Sequence, residues 1–161
     1  MIDQSINPMQ IIQSLLAPAV GISAVGLLLL GLNSRYSIII NRIRLLNEER
    51  RRYVRLLQKQ DTLDYADNQR FMNISKQTQE LLVRSRLVRN AILSLQSAIA
   101  LFVLTSVALG VILFVPAGWF HSFTLGIFIF GMLSLLLGIL FAGSEVRRSF
   151  RIVLLEVKAD D

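Results

Sequence analysis

The stretch Ile11-Ile-Gln-Ser-Leu-Leu-Ala-Pro-Ala-Val-Gly-Ile-Ser-Ala-Val-Gly-Leu-Leu-Leu-Leu-Gly-Leu32 contains no Asp, Glu, Lys or Arg. The hydrocarbon core of a bilayer is about 30 Å thick, and about 20 helical residues cross it. This block is therefore long enough and apolar enough for one transmembrane helix. Working outward, residues 91–115 and 123–143 are also free of charged side chains and of similar length. The pattern predicts three spans. A chain of 161 residues with 53% hydrophobic residues and a mean hydropathy of +0.56 is also too apolar for an ordinary soluble domain.

A secretory signal peptide opens on Lys or Arg and has a short apolar core. Residues 1–10 carry Asp3 as their only charge, and the apolar run that follows is longer than such a core. The first block is therefore expected to be a retained helix. Lys and Arg accumulate on the cytoplasmic side of membranes. Residues 33–90 hold thirteen of the 17 basic residues against six acids, and the tail after Gly143 holds the other four. Residues 1–10 and the connection Pro116-Ala-Gly-Trp-Phe-His121 hold none. These signals agree on an N-terminus outside and a C-terminus in the cytoplasm.

Beyond Leu32 the chain keeps its helical character, because residues 35–59 contain neither Pro nor Gly. Ile39, Ile43, Leu46, Arg50, Tyr53 and Leu57 recur at alternating spacings of four and three, which marks one face of a helix. Phe71, Ile74, Thr78, Leu81, Ser85, Val88 and Ile92 repeat that spacing into the second span. A turn is expected over residues 60–69, with Asp61, Thr62 and Asp67 as capping residues. The fold class is thus all-α integral membrane. It comprises three transmembrane helices in one membrane domain over residues 1–161, with a long cytoplasmic helical hairpin at 33–90 resembling a coiled-coil stalk. A cytoplasmic C-terminal helix over 144–157 follows, with Val146, Phe150, Val153, Leu154 and Val157 on a stripe suited to packing against the hairpin.

Chemistry-bearing constellations are sparse. There are no cysteines, hence no disulfide and no thiolate metal site. His121 is the single histidine and has aromatic neighbours, with no acids nearby to complete a metal site. Asp61, Asp64 and Asp67 lack the glycine and terminal bidentate Glu of a calcium loop, so capping and solubility account for them. No nucleophile, base and orienting acid stand together, and no glycine-rich phosphate loop precedes a Lys. The expectation is a protein without enzymatic activity, metal or cofactor. The net charge of +6 is explained by the positive-inside pattern, and no nucleic-acid-binding motif accompanies it. The bilayer itself is the expected partner, with anionic headgroups drawn to the basic segment at about 1 kcal/mol per Lys or Arg.

One constellation invites a functional reading. Gln10, Ser14, Ala17, Gly21, Ala24, Leu28, Gly31 and Arg35 succeed one another at spacings of four and three, forming a small or polar face along helix one. Small residues let helices approach closely, so this face is suited to packing within the protomer or against another subunit. Packing is the commoner use of such a face; the functional reading is the lining of a narrow pore in a ring of subunits, with Leu28 a constriction and Arg35 at the cytoplasmic mouth. Three small helices do not enclose a conduit alone, so a pore requires a homo-oligomer. Gly131, Ser134, Gly138 and Ala142 form a second small face, on helix three, for contact within or between protomers. The spans carry no charge, which argues against proton-coupled transport.

Pro18-Ala-Val, Ile22-Ser23, Leu27-Leu-Leu-Leu-Gly-Leu32 and Arg35-Tyr-Ser-Ile-Ile-Ile-Asn-Arg-Ile-Arg-Leu-Leu-Asn-Glu-Glu49 resemble an uncharacterised bacterial family of small three-span membrane proteins, a domain-of-unknown-function family. The resemblance covers residues 11–151 and is strongest over 18–49. It implies a multi-pass protein of the bacterial inner membrane, from a cyanobacterium or proteobacterium, and brings no activity and no site residues. Two functional expectations follow from the residues themselves. One is a homo-oligomeric channel-like protein with helix one lining a central pore. The other is a non-conducting membrane scaffold or assembly protein acting through its basic hairpin on a protein partner that the residues do not identify.

Overall fold

The computed structural model describes residues 8–57, 65–112 and 118–159. They form three α-helices and no strand: α1 (Pro8–Leu57), α2 (Tyr65–Ile112) and α3 (Gly118–Ala159). All three are long and apolar enough to cross a membrane. α1 continues through Pro18 and past the end of its apolar block, as the absence of further breakers in residues 35–57 requires. Asp67 stands in the first turn of α2, where an acid meets the positive end of the helix dipole. Asp61, Thr62, Asp64 and Pro116 lie outside the described residues.

Each helix carries a largely buried line of positions seven residues apart. On α1 the line is Pro18, Val25, Leu32, Ile39 and Leu46, all buried. On α2 it is Ile74, Leu81, Val88, Leu95 and Phe102, with Leu81 half-buried. On α3 it is Thr124, Gly131, Gly138 and Glu145. Seven residues are close to two turns of 3.6, so such a repeat keeps one face of a helix toward its neighbours over a long distance. Of the face expected over residues 39–57, Ile39, Ile43 and Leu46 are buried, Tyr53 is half-buried and Arg50 is exposed.

The chain divides into two compact units, one of Met1–Gly31 with Ala91–Phe141, the other of Leu32–Asn90 with Ala142–Asp161. The first unit exposes large apolar side chains: Leu27 (74%), Leu30 (71%) and Phe130 (66%) among them. In water so much apolar surface is an aggregation liability, whereas in hydrocarbon it faces a matching solvent. Its buried hydroxyls are satisfied within their own helices, Thr105 donating to the Leu101 carbonyl at 2.8 Å and Thr124 to that of Phe120 at 2.9 Å.

In the second unit Ile39, Ile43 and Leu46 of α1 are buried, and so are Ile74, Thr78, Ser85 and Val88 of α2. At its surface the Arg70 Nε donates to Glu49 at 3.0 Å. The stripe expected on α3 from Val146 is displaced by one residue. Val146 is exposed, and the preceding Glu145 occupies the buried line because two arginines satisfy its charge. The side chains of Phe150, Val153, Leu154 and Val157 lie outside the described residues.

Candidate functional site

The small face of α1 stands beside the buried line, offset by one residue. Ala17, Ala24 and Gly31 are exposed, and so is Leu28. A Cβ built on Gly31 meets nothing within 4 Å. Gly21 is the exception: a Cβ there would lie 2.9 Å from the Phe102 ring, so this glycine serves packing inside the protomer. The side chains of Gln10 and Ser14 lie outside the described residues. Ala17 also borders a cleft of about 270 Å³, which Pro18, Thr105, His121, Thr124 and Phe128 help to line.

The face does not end where the apolar block ends. Counting in sevens, Ala17, Ala24 and Gly31 are followed by Ile38 and Leu45, which are 66% and 61% exposed. At 1.5 Å per residue, Ile38 and Leu45 lie about 9 and 20 Å of helix beyond Leu32. The polar layer on each side of the hydrocarbon is only about 5–7 Å deep.

The small face of α3 is turned inward over most of its length. Gly131 is buried, and a Cβ on it would come within 2.9 Å of the opposite edge of the Phe102 ring. A Cβ on Gly138 would lie 2.8 Å from Leu95 and 3.3 Å from the Ala91 carbonyl oxygen. Between them the Ser134 hydroxyl donates to the Ser94 carbonyl at 2.8 Å, a hydrogen bond from α3 to α2. Ala142 is half-buried.

Arg35, at the end of the α1 face, is not a free charge. Its Nη1 donates to Glu145 Oε2 at 3.4 Å, while Arg84 Nη2 and Nε donate to Oε1 at 2.9 and 3.2 Å. The carboxylate is 3% exposed, Arg84 28% and Arg35 57%. One buried acid thus receives one arginine from each of the other two helices, and the cluster carries a net charge of +1. Glu145 is the sole charged residue in the core among the described residues.

Two residues escape reading by sequence alone. Phe102 is one Phe inside an apolar block, and the signal that marks it is a pair of glycines on other helices, Gly21 and Gly131. Glu145 is an acid just past the third apolar block amid Arg147 and Arg148, and it looks like a solvated residue until Arg35 and Arg84 are brought to it. No group of three or more His, Cys, Asp or Glu among the described residues is placed to hold a metal ion.

A family described as protein of unknown function, DUF2721, matches residues 15–155. The chain belongs to that family. No curated protein and no solved structure matches it.

Proposed function

We propose that this member of the family is a homo-oligomeric, channel-like protein of the bacterial inner membrane, in which the exposed face of α1 surrounds a central axis. The observation that carries the reading is the line Ala17, Ala24, Gly31, Ile38 and Leu45, exposed in the protomer and continuing along α1 beyond its apolar block. Covering a side chain such as Ile38 or Leu45 is worth about 1–2 kcal/mol. Repeated around a ring, that contribution adds to the close packing that the small residues allow. In this reading the N-terminus is outside, the second unit forms a cytoplasmic coiled-coil-like stalk, and anionic headgroups gather at those of its basic residues nearest the bilayer.

Within the membrane the line narrows to Ala and Gly, beside which Leu28 projects as a constriction. The pairing of Arg35 and Arg84 with Glu145 halves the charge of the two arginines near the mouth, leaving these three residues with a net charge of +1. A ring of such charges disfavours cations at that level. The test is the mass of the purified complex in mild detergent together with its conductance in a planar bilayer. Ala24→Trp should change the current without dispersing the protomer fold, because Ala24 is outside the buried core. A preparation that stays at 18.1 kDa and silent contradicts the reading.

A further inference from the structure

The side of α1 away from the proposed axis carries a second surface. Val54 follows Leu45 by nine residues, two and a half turns, and so stands on the opposite side of the helix. Around it Asn47, Arg50, Arg51, Val54 and Arg55 line an open groove of about 620 Å³. Their spacing of three and four keeps them on one face for more than two turns. Arg50, Arg51 and Arg55 are exposed, and no described acid is paired with any of them; Arg55 Nε donates only to the Arg51 carbonyl, at 3.3 Å. Val54, 40% exposed, supplies an apolar floor between the guanidinium groups.

We propose that this groove binds an acidic amphipathic helix of a partner protein, its apolar side chains on Val54 and its carboxylates on Arg50, Arg51 and Arg55. The face presents its side chains at spacings of three and four residues, the spacing at which a partner helix presents its own. Arginine forks match carboxylates bidentately, and three of them line the groove with Val54. The bilayer does not fit as the occupant. In the topology proposed above, where the span ends at Leu32, residues 47–55 lie about 22–35 Å of helix farther on, several times the depth of the headgroup layer. A nucleic acid fits less well, since among the described residues no aromatic side chain lines the groove as a stacking platform. Because the groove and the line through Leu45 face opposite ways, a partner sits here without disturbing self-association.

The experiment uses the full chain in nanodiscs of zwitterionic lipid and a fluorescent synthetic helix of Glu and Leu with its Leu on one face. Fluorescence anisotropy should show saturable binding, weakened roughly tenfold or more by Arg51→Glu with Arg55→Glu, as loss of about 1.4 kcal/mol requires. Arg86→Glu with Arg89→Glu changes the net charge by the same amount at exposed positions of α2 and should leave binding intact. Retained helicity by circular dichroism shows that the variants fold. Equal weakening by both pairs, or equal binding of a scrambled peptide without an apolar face, overturns the proposal in favour of bulk charge. Tighter binding of a single-stranded oligonucleotide with the same dependence on Arg51 and Arg55 overturns it in favour of nucleic acid.

Discussion

Gly21 and Gly131 clasp opposite edges of one ring: a Cβ on either would lie 2.9 Å from Phe102. The ring, 1% exposed and 5.7 Å from the Phe128 centroid, has no room to retreat from one glycine without meeting the other. Gly21→Ala and Gly131→Ala should each destabilise the protein in detergent by about 1–3 kcal/mol, as overpacking of a full core does. Gly31→Ala, with open space around its Cβ, should be neutral or stabilising by up to about 1 kcal/mol. Thermal unfolding of the three variants separates the cases. Adding Phe102→Leu to Gly21→Ala should recover part of the loss, a coupling that a double-mutant cycle measures.

Glu145 is the charge whose removal should matter most. Glu145→Gln leaves Arg84 and Arg35 facing a neutral amide, and breaking a buried pair costs about 3–5 kcal/mol. Both arginines keep access to solvent, which brings the expected loss to the bottom of that range or below it, about 2–3 kcal/mol. Arg35→Gln should cost less, since Arg84 still holds the carboxylate with two hydrogen bonds. Glu49→Gln removes only an exposed partner of Arg70 and should change stability by less than about 1 kcal/mol. Unfolding midpoints in one detergent should rank the three in that order.

The periodic features of this fold were legible without coordinates, and the cross-helix ones were not. Three uncharged blocks announce three membrane-competent helices, and the spacing through Ile39, Ile43 and Leu46, or through Ile74, Thr78 and Ser85, marks the faces that are buried. Both signals lie within one helix, where 3.6-residue geometry makes them predictable. The clasp on Phe102 and the cluster on Glu145 depend on how three helices are aligned, and no single-helix period encodes that. Hydrophobic patterning even points the wrong way at Glu145, because it assigns the inside to the neighbouring Val146. The α1 face was visible as a row of small residues, but its extension through Ile38 and Leu45 emerged only when burial separated it from the adjoining core line.

Ser134 joins α3 to α2 through the Ser94 carbonyl at 2.8 Å. Interhelical hydrogen bonds of this kind contribute about 0.6 kcal/mol on average within a membrane, and at most about 1.7. Ser134→Ala should therefore cost little, while Gly138→Ala one turn on should cost more. Its Cβ would press on both Leu95 and the Ala91 carbonyl oxygen, and the backbone atom has little freedom to move. Comparative unfolding of the two variants checks the ranking.

Ile38 and Leu45 are exposed and make no part of the protomer core. Ile38→Lys combined with Leu45→Lys should disperse the assembly and leave the helical content of the protomer unchanged. Size-exclusion chromatography with mass determination, alongside circular dichroism, reads both quantities. Leu82→Lys, a similarly exposed apolar position on α2, serves as the control that leaves the complex intact.

The chain has no native cysteine, so a single introduced thiol reports on its own surroundings. A thiolate reacts with a charged, water-soluble thiol reagent only where water reaches it, and hydrocarbon keeps the thiol protonated. Ala24 lies on the proposed lumen line, whereas the exposed Leu30 stands about 120° away around the helix. In intact membranes Ala24→Cys should be labelled and Leu30→Cys should not. Protection of both positions from the reagent would contradict a water-filled axis lined by α1.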